Sequence, residues 1–168
     1  MLEAFLLDTA LHNRTNFSCE IESLTNYLKT QASQDIKRSL AACFVFIDAE
    51  NEIKGYYTLS NSSLDRNEVP EEHKKKVPQN YAVPVTLLGR LARDISTKGT
   101  GIGENLLMDE LYRSYKIATN SIASMAVIVD PINEKAVQFY GNYGFIQLPD
   151  SGKMFLPMKT IEKLFQSM

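Results

Sequence analysis

The chain has 168 residues, 44% of them hydrophobic and 23% charged, and a formal net charge of −2. That length fits one compact domain over residues 1–168, able to bury most of its apolar surface without disulfides or metals, and no apolar run approaches the roughly 20 residues of a membrane span. The acidic balance excludes nucleic-acid binding by bulk charge and leaves only local basic clusters: Lys37-Arg38, Lys74–Lys76, and Arg90, Arg93 and Lys98.

Met1–Asn13 is apolar but carries Glu3 and Asp8 and lacks a basic leader, so no signal peptide is read and the expected location is the cytoplasm. Cys19 and Cys43 fit no metal or redox spacing and are expected as buried free thiols. His12 and His73 stand alone, and no metal site is expected.

Leu24, Leu28, Ala32 and Ile36 recur at four-residue spacing and predict one amphipathic helix over Ile21–Ile36. Cys43–Ile47 and Ile53–Leu59 are rich in aromatic and β-branched residues and predict two antiparallel strands joined through Asp48–Glu52. Ser60–Asn80 is polar, holds Pro70 and Pro78, and offers at most a helical turn or two over Glu71–Lys76; a connection this long is expected to be functional and to carry acceptor specificity. Val83–Arg93 predicts a long strand. A glycine loop follows, then a helix marked by Ile102, Leu106, Leu107, Leu111 and Tyr115. Met125–Val129 predicts a buried strand, and Asn133–Tyr143 a helix stopped near Gly144. Phe145–Leu148 and Lys153–Met158 flank turn residues Pro149–Gly152, and Thr160–Gln166 predicts a last short helix. The order predicts an α+β domain, with helices flanking a mostly antiparallel sheet.

Lys98-Gly-Thr-Gly-Ile-Gly103 lies between a strong strand and a strong helix. Glycines let such a loop curl until successive amides converge on an anion, and the helix N-terminus adds partial positive charge. A pyrophosphate fits this nest; a plain glycine turn is the competing reading. The GxxxxGK[ST] of an ATP-binding loop is absent, and Glu104 breaks a dinucleotide GxGxxG.

Leu91-Ala-Arg-Asp94 running into Lys98–Gly103, then Asp130-Pro-Ile-Asn133, Ala136-Val-Gln-Phe-Tyr140 and Tyr143-Gly-Phe145, resemble in order and spacing the core motifs of the GNAT superfamily of N-acetyltransferases. The resemblance spans nearly the whole chain, with Lys98 where the family more often has Arg or Gln. It implies acetyl-coenzyme A as cosubstrate and no metal. Its pyrophosphate would rest on the loop Lys98, Gly99, Thr100, Gly101, Ile102 and Gly103, and its pantetheine arm on the backbone of Leu91, Ala92 and Arg93. Asn133 would touch the arm as well, although an asparagine there equally reads as a helix N-cap. Tyr140 corresponds to the family's general acid, a phenol with a pKa near ~10 that can protonate a departing thiolate. A neutral amine would attack directly, with an oxyanion donor near Leu91 or Ala92 and no role for either cysteine. The general base stays open among water, Glu104, Glu110 and Asp94.

A narrower resemblance lies in Phe17–Leu28, Gln34–Arg38, Phe44–Ile47 and Leu88–Asp94, which look like the corresponding stretches of GNAT toxins from bacterial toxin–antitoxin pairs, with Ser18-Cys19-Glu20 where Asp-Cys-Gly is common. This implies acetylation of the α-amine of aminoacyl-tRNA, a ribbon-helix-helix antitoxin as partner, and a homodimer. The alternatives are a GNAT enzyme acting on a small-molecule or protein amine, and a coenzyme A-binding regulatory module without catalysis.

Overall fold

The structure is a computed structural model that describes residues 2–168. Two compact units emerge. The first runs up to Ser60 and adds Gly89–Glu110; the second comprises Asn61–Leu88 and Leu111–Met168. The seven strands hydrogen-bond in the order β1-β2-β3-β4-β5-β7-β6.

In the first unit β1 (Phe5–Leu6) pairs antiparallel with β2 (Ala42–Ile47), Phe5 opposite Val45. β2 in turn pairs antiparallel with β3 (Ile53–Asp65), Phe44 opposite Tyr57, with an irregularity between Phe46 and Ile47. The predicted helix is present as α1 (Glu22–Asn26), a π-helical turn over Tyr27–Gln31, and α2 (Ala32–Lys37). Periodicity alone cannot show that turn. It arises where competing donors reach the helix carbonyls: Thr30 Oγ1 donates to the Asn26 carbonyl at 2.7 Å, and Arg14 Nη1 donates to the Leu28 and Lys29 carbonyls at 3.3 Å. The helical face closes over Phe17, Tyr27, Leu28, Ala32, Val45, Ile53, Tyr56 and Ala92. Tyr56 takes Phe17 edge-on at 5.6 Å and stacks with Tyr27 at 6.2 Å. The Tyr56 hydroxyl donates to the Leu24 carbonyl at 2.6 Å, so a buried phenol is satisfied without leaving the core.

In the second unit β4 (Ala82–Arg93) pairs parallel with β5 (Ala126–Val129) through Thr86–Leu88. β5 pairs antiparallel with β7 (Met154–Pro157), and β7 with β6 (Ile146–Gln147). A parallel pair requires a crossover, and the chain between β4 and β5 carries α4 (Ile102–Asn120), five residues longer at its end than Tyr115. α5 (Glu134–Gly141) and α6 (Met158–Gln166) complete the set, and the sheet is mostly antiparallel with flanking helices, the expected class. The core gathers Leu64, Val69, Val77, Val83, Val85, Ala126, Ile128, Leu148 and Phe155.

The segment read as a loop after Leu59 is largely ordered. β3 continues to Asp65, a 3-10 turn covers Arg66–Glu68, and α3 covers Glu71–Lys74. Asn61, Ser62 and Ser63 have poor strand propensity, which hid the extension, but Leu64 carries the strand into the core and Arg66 Nε donates to the Val77 carbonyl at 2.7 Å. Cys43 is buried as expected; Cys19 is half-buried, its Sγ 3.2 Å from the Ile21 carbonyl.

Leu28 is fully buried (0% exposed) at the centre of the first core. Leu28→Ala is therefore expected to lower unfolding stability by about 2–5 kcal/mol, read as a drop in the urea midpoint at unchanged slope.

Candidate active site

β4 ends at Arg93, and the chain leaving it is organised by Asp94, whose backbone amide donates to the Lys54 carbonyl at 2.8 Å. Its side chain is 6% exposed and both oxygens are used. Oδ1 accepts the Ser18 amide at 2.9 Å. Oδ2 accepts the Ser96 amide at 3.0 Å and, by a short bond, the Ser96 hydroxyl. Burial pushes this carboxyl up, but the Ser96 hydroxyl, the Ser18 and Ser96 amides and the charge of Lys54 outweigh it and hold the group below the ordinary aspartate range. Three hydrogen bonds to charged oxygens make this carboxylate a weaker proton acceptor than a free aspartate.

Asp94 thereby caps a 3-10 turn over Ile95–Thr97 that delivers the chain into the glycine loop. Gly99 and Gly101 have φ of 79° and 85°, the left-handed region that glycine enters without penalty. A Cβ at Gly99 would meet nothing within 4 Å, and one at Gly101 only Asn105 Nδ2 at 3.8 Å, so conformation and not crowding requires these glycines, and the loop's outer face is open. The Thr100 amide returns to the Thr97 carbonyl at 3.1 Å, and the Asn105 amide to the Gly101 carbonyl at 3.0 Å. The amides of Ile102, Gly103 and Glu104 therefore precede the first closed turn of α4, where a helix has no acceptors of its own and carries partial positive charge. Open loop, left-handed glycines and a 19-residue helix suit a diphosphate. Leu91, Ala92, Arg93 and Lys98–Gly103 all lie together in this first unit.

Asn133 and Tyr140 lie together on the second unit's α5. Asn133 is extended, with φ −160°, and its side chain accepts the Ala136 amide at 2.8 Å, so the N-cap reading holds. Tyr140, 6% exposed, sits edge-on between Phe139 at 5.2 Å and Phe145 at 5.3 Å.

Cys43 is a neutral thiol, pushed up to about 12 by burial despite the nearby charges of Arg90 and Arg14. Buried His12 accepts the Asp8 amide through Nδ1 at 3.0 Å. His73 packs 5.8 Å from the Phe155 ring. Both histidines do structural work. A 530 Å³ concavity is lined by Thr9–Thr15 and Lys29, and a 510 Å³ one by residues 67–71, 74 and 146–151; neither is lined by residues 91–103, Asn133 or Tyr140. Among the described residues no cluster of three His, Cys, Asp or Glu is placed to hold a metal, and no helix is long and apolar enough to cross a membrane. Sequence reasoning did not find the Ser18–Asp94 latch; the signal available was the short polar run Ser18-Cys19-Glu20 just ahead of the helix.

No protein-family model matches the chain. It is 32% identical over 151 residues, 89% of each chain, to the tRNA-acetylating toxin of Mycobacterium tuberculosis (strain ATCC 25618 / H37Rv). It is 29% identical over 167 residues, 94% of this chain and 92% of the other, to the protein of Sinorhizobium fredii (strain NBRC 101917 / NGR234) named Probable toxin TacT. Among solved structures, AtaT complexed with acetyl-methionyl-tRNAfMet superposes with a TM-score of 0.88 at 29% identity, over 96% of this chain and 98% of that one. A tyrosine-to-phenylalanine mutant of KacT gives 0.86 at 31%, over 98% and 100%. A tyrosine-to-phenylalanine mutant of AtaT, bound to the C-terminus of the antitoxin AtaR and acetyl-CoA, gives 0.82 at 26%, over 96% of each.

A carboxyl held below its unfolded value, near ~3.9, adds stability above that value and loses it as pH falls through the lower folded one. Asp94→Asn should accordingly cost about 1–3 kcal/mol at neutral pH, and the deficit should shrink as acid protonates the parent's Asp94. Urea unfolding of both proteins across the acid range measures it.

Proposed function

Because the chain belongs to the tRNA-acetylating GNAT toxins of bacterial toxin–antitoxin systems, we propose that its residues 1–168 act as one N-acetyltransferase domain, moving acetyl from acetyl-coenzyme A to the α-amine of aminoacyl-tRNA. One observation carries this reading: the likeness, over nearly the whole chain, to AtaT solved with acetyl-methionyl-tRNAfMet. The coenzyme assignment has its own support in the solved AtaT complex with acetyl-CoA and in the open, left-handed glycine loop.

In this reading the amides from Lys98 to Gly103 and the N-terminus of α4 hold the coenzyme diphosphate. The backbone of Leu91, Ala92 and Arg93 takes the pantetheine arm as a strand takes an added neighbour. Asn133 caps α5 and turns its remaining polarity to the arm. An amide at Leu91 or Ala92 serves as oxyanion donor, a contribution of about 3–4 kcal/mol to the transition state. The amine attacks the thioester carbonyl directly, its C–N bond forming as the C–S bond breaks, so no covalent enzyme intermediate is needed; the Tyr140 hydroxyl protonates the departing thiolate, and the proton shed by the amine passes out through water and restores the phenol. An acetylated α-amine can no longer attack in peptide-bond formation, and translation stops.

The tRNA backbone is met by exposed cations, Lys37 and Arg38 in one unit and Lys75 and Lys76 in the other. Relatives are solved with antitoxins, and a small ribbon-helix-helix protein is the partner proposed here, with a homodimer as the working assembly and the cytoplasm as its place.

Two measurements test the reading. Gly101→Asp puts a negative side chain into the nest and should abolish acetyl-CoA binding by calorimetry while the protein stays folded. Tyr140→Phe should keep coenzyme affinity within a few-fold and lower turnover about 10²–10⁴-fold on charged tRNA, measured as acetylated aminoacyl ends. Charged tRNA left unmodified by the parent protein would return the acceptor to a small-molecule or protein amine.

A further inference from the structure

The chain ahead of α1 is pinned across the end of β4. The Ser18 amide donates to Asp94 Oδ1 at 2.9 Å, and the Ser18 carbonyl accepts the Ile95 amide at 2.7 Å. Two residues on, Glu20 Oε1 accepts Arg93 Nη2 at 3.2 Å, the side chains being 40% and 22% exposed. Arg93 Cδ lies 3.9 Å from where a Cβ on Gly103 would stand, so the arginine runs beside the first turn of α4. Its second terminal nitrogen, Nη1, is buried and meets no hydrogen-bond acceptor. The Glu20 carboxyl is held below the ordinary glutamate range, first by a hydrogen bond from its own backbone amide, which outweighs partial burial, then by Arg93 and, more weakly, by Lys98.

A carboxylate is thus paired with a guanidinium that runs beside the anion-binding loop. To a guanidinium, carboxylate and phosphate oxygens are equivalent acceptors, and phosphate offers more of them. A half-exposed ion pair is also weak enough to be exchanged. We propose that Glu20 is a resident competitor for the coenzyme phosphates: it parks the Arg93 guanidinium in the free protein and releases it to a phosphate oxygen when acetyl-CoA binds. The proposal rests on the coenzyme reading of the loop and extends it, because the affinity for acetyl-CoA is then set by a side chain outside the loop. Glu20 acts through Arg93 and is a positioning residue. The exchange also gives the buried Arg93 Nη1 a route to an acceptor, since a small shift of the guanidinium brings a second donor toward the same phosphate.

The test is calorimetric titration of the full chain with acetyl-CoA at two ionic strengths, using the parent, E20Q, R93Q and the double variant E20Q/R93Q, each checked for an unchanged thermal transition. E20Q keeps the side chain's length and removes its charge. The expected result is a Kd about three- to ten-fold lower for E20Q, a gain that shrinks at the higher ionic strength, and no gain from E20Q in the R93Q background. An E20Q affinity equal to or below the parent's overturns the proposal, since Glu20 would then be an orienting partner and not a competitor. A gain that persists in full without Arg93 overturns the exchange as well. Absence of coenzyme binding by the parent is a different outcome, and overturns the loop assignment and the Glu20 exchange together.

Discussion

A buried carboxylate that accepts three hydrogen bonds organises the candidate site. Asp94 ties together three stretches of chain that are remote in sequence: its side chain takes the Ser18 amide, its backbone amide reaches Lys54, and its Oδ2 starts the turn into the glycine loop. Moving any of these would rotate the first amides of α4, and those amides can serve an anion only while they converge. The same junction depends on close approach elsewhere. A Cβ on Gly55 would stand 2.7 Å from Leu106 Cδ1 and 3.4 Å from the Ala92 carbonyl, so β3 and α4 come together where a side chain on the strand would displace the buried Leu106.

The basic residues do not form one field. The Arg90 guanidinium lies 3.6 Å above the Tyr27 ring, whose hydroxyl donates to Asp35 Oδ2 at 2.7 Å. That phenol is pushed up by burial and by its bond to Asp35, and the arginine above it is engaged in packing. Arg93 is committed to Glu20, and Lys74 to Glu71 at 3.0 Å. Exposed Lys37, Arg38, Lys75, Lys76 and Lys98 are among the cations that the surface offers to phosphate, in a chain whose net charge is −2.

The connection after Leu59 has a similar division. Leu64, Val69 and Val77 fix its inner side in the second core, and the Arg66 bond to the Val77 carbonyl closes it. Among its outward residues, Asp65 ends β3 and Glu71 opens α3, while Lys75 and Lys76 stand in the turn that follows α3. Ordered backbone lowers the entropy lost when such residues engage a partner.

The aromatic and β-branched run Cys43–Ile47, the long apolar stretch Val83–Arg93, the four-residue spacing in α4 and the glycines at 99 and 101 are local signals, and the fold class, the strand–loop–helix unit and the family motifs are legible from them. Asn133 as a cap was legible for the same reason, since a cap involves residues three apart. Tertiary structure alone decided the rest. The two-residue strand β1 has no periodicity to read and exists because β2 offers an edge. The π-helical turn exists because Arg14, far along the chain, competes for its carbonyls. Asp94 belongs to a sequence motif, but the Ser18 amide that it accepts lies 76 positions away, and Glu20 and Arg93 meet across 73. Spacing encodes what a residue does to its own helix or strand. Contacts between residues so far apart depend on which elements the hydrophobic cores bring side by side, and that is settled only when the chain folds.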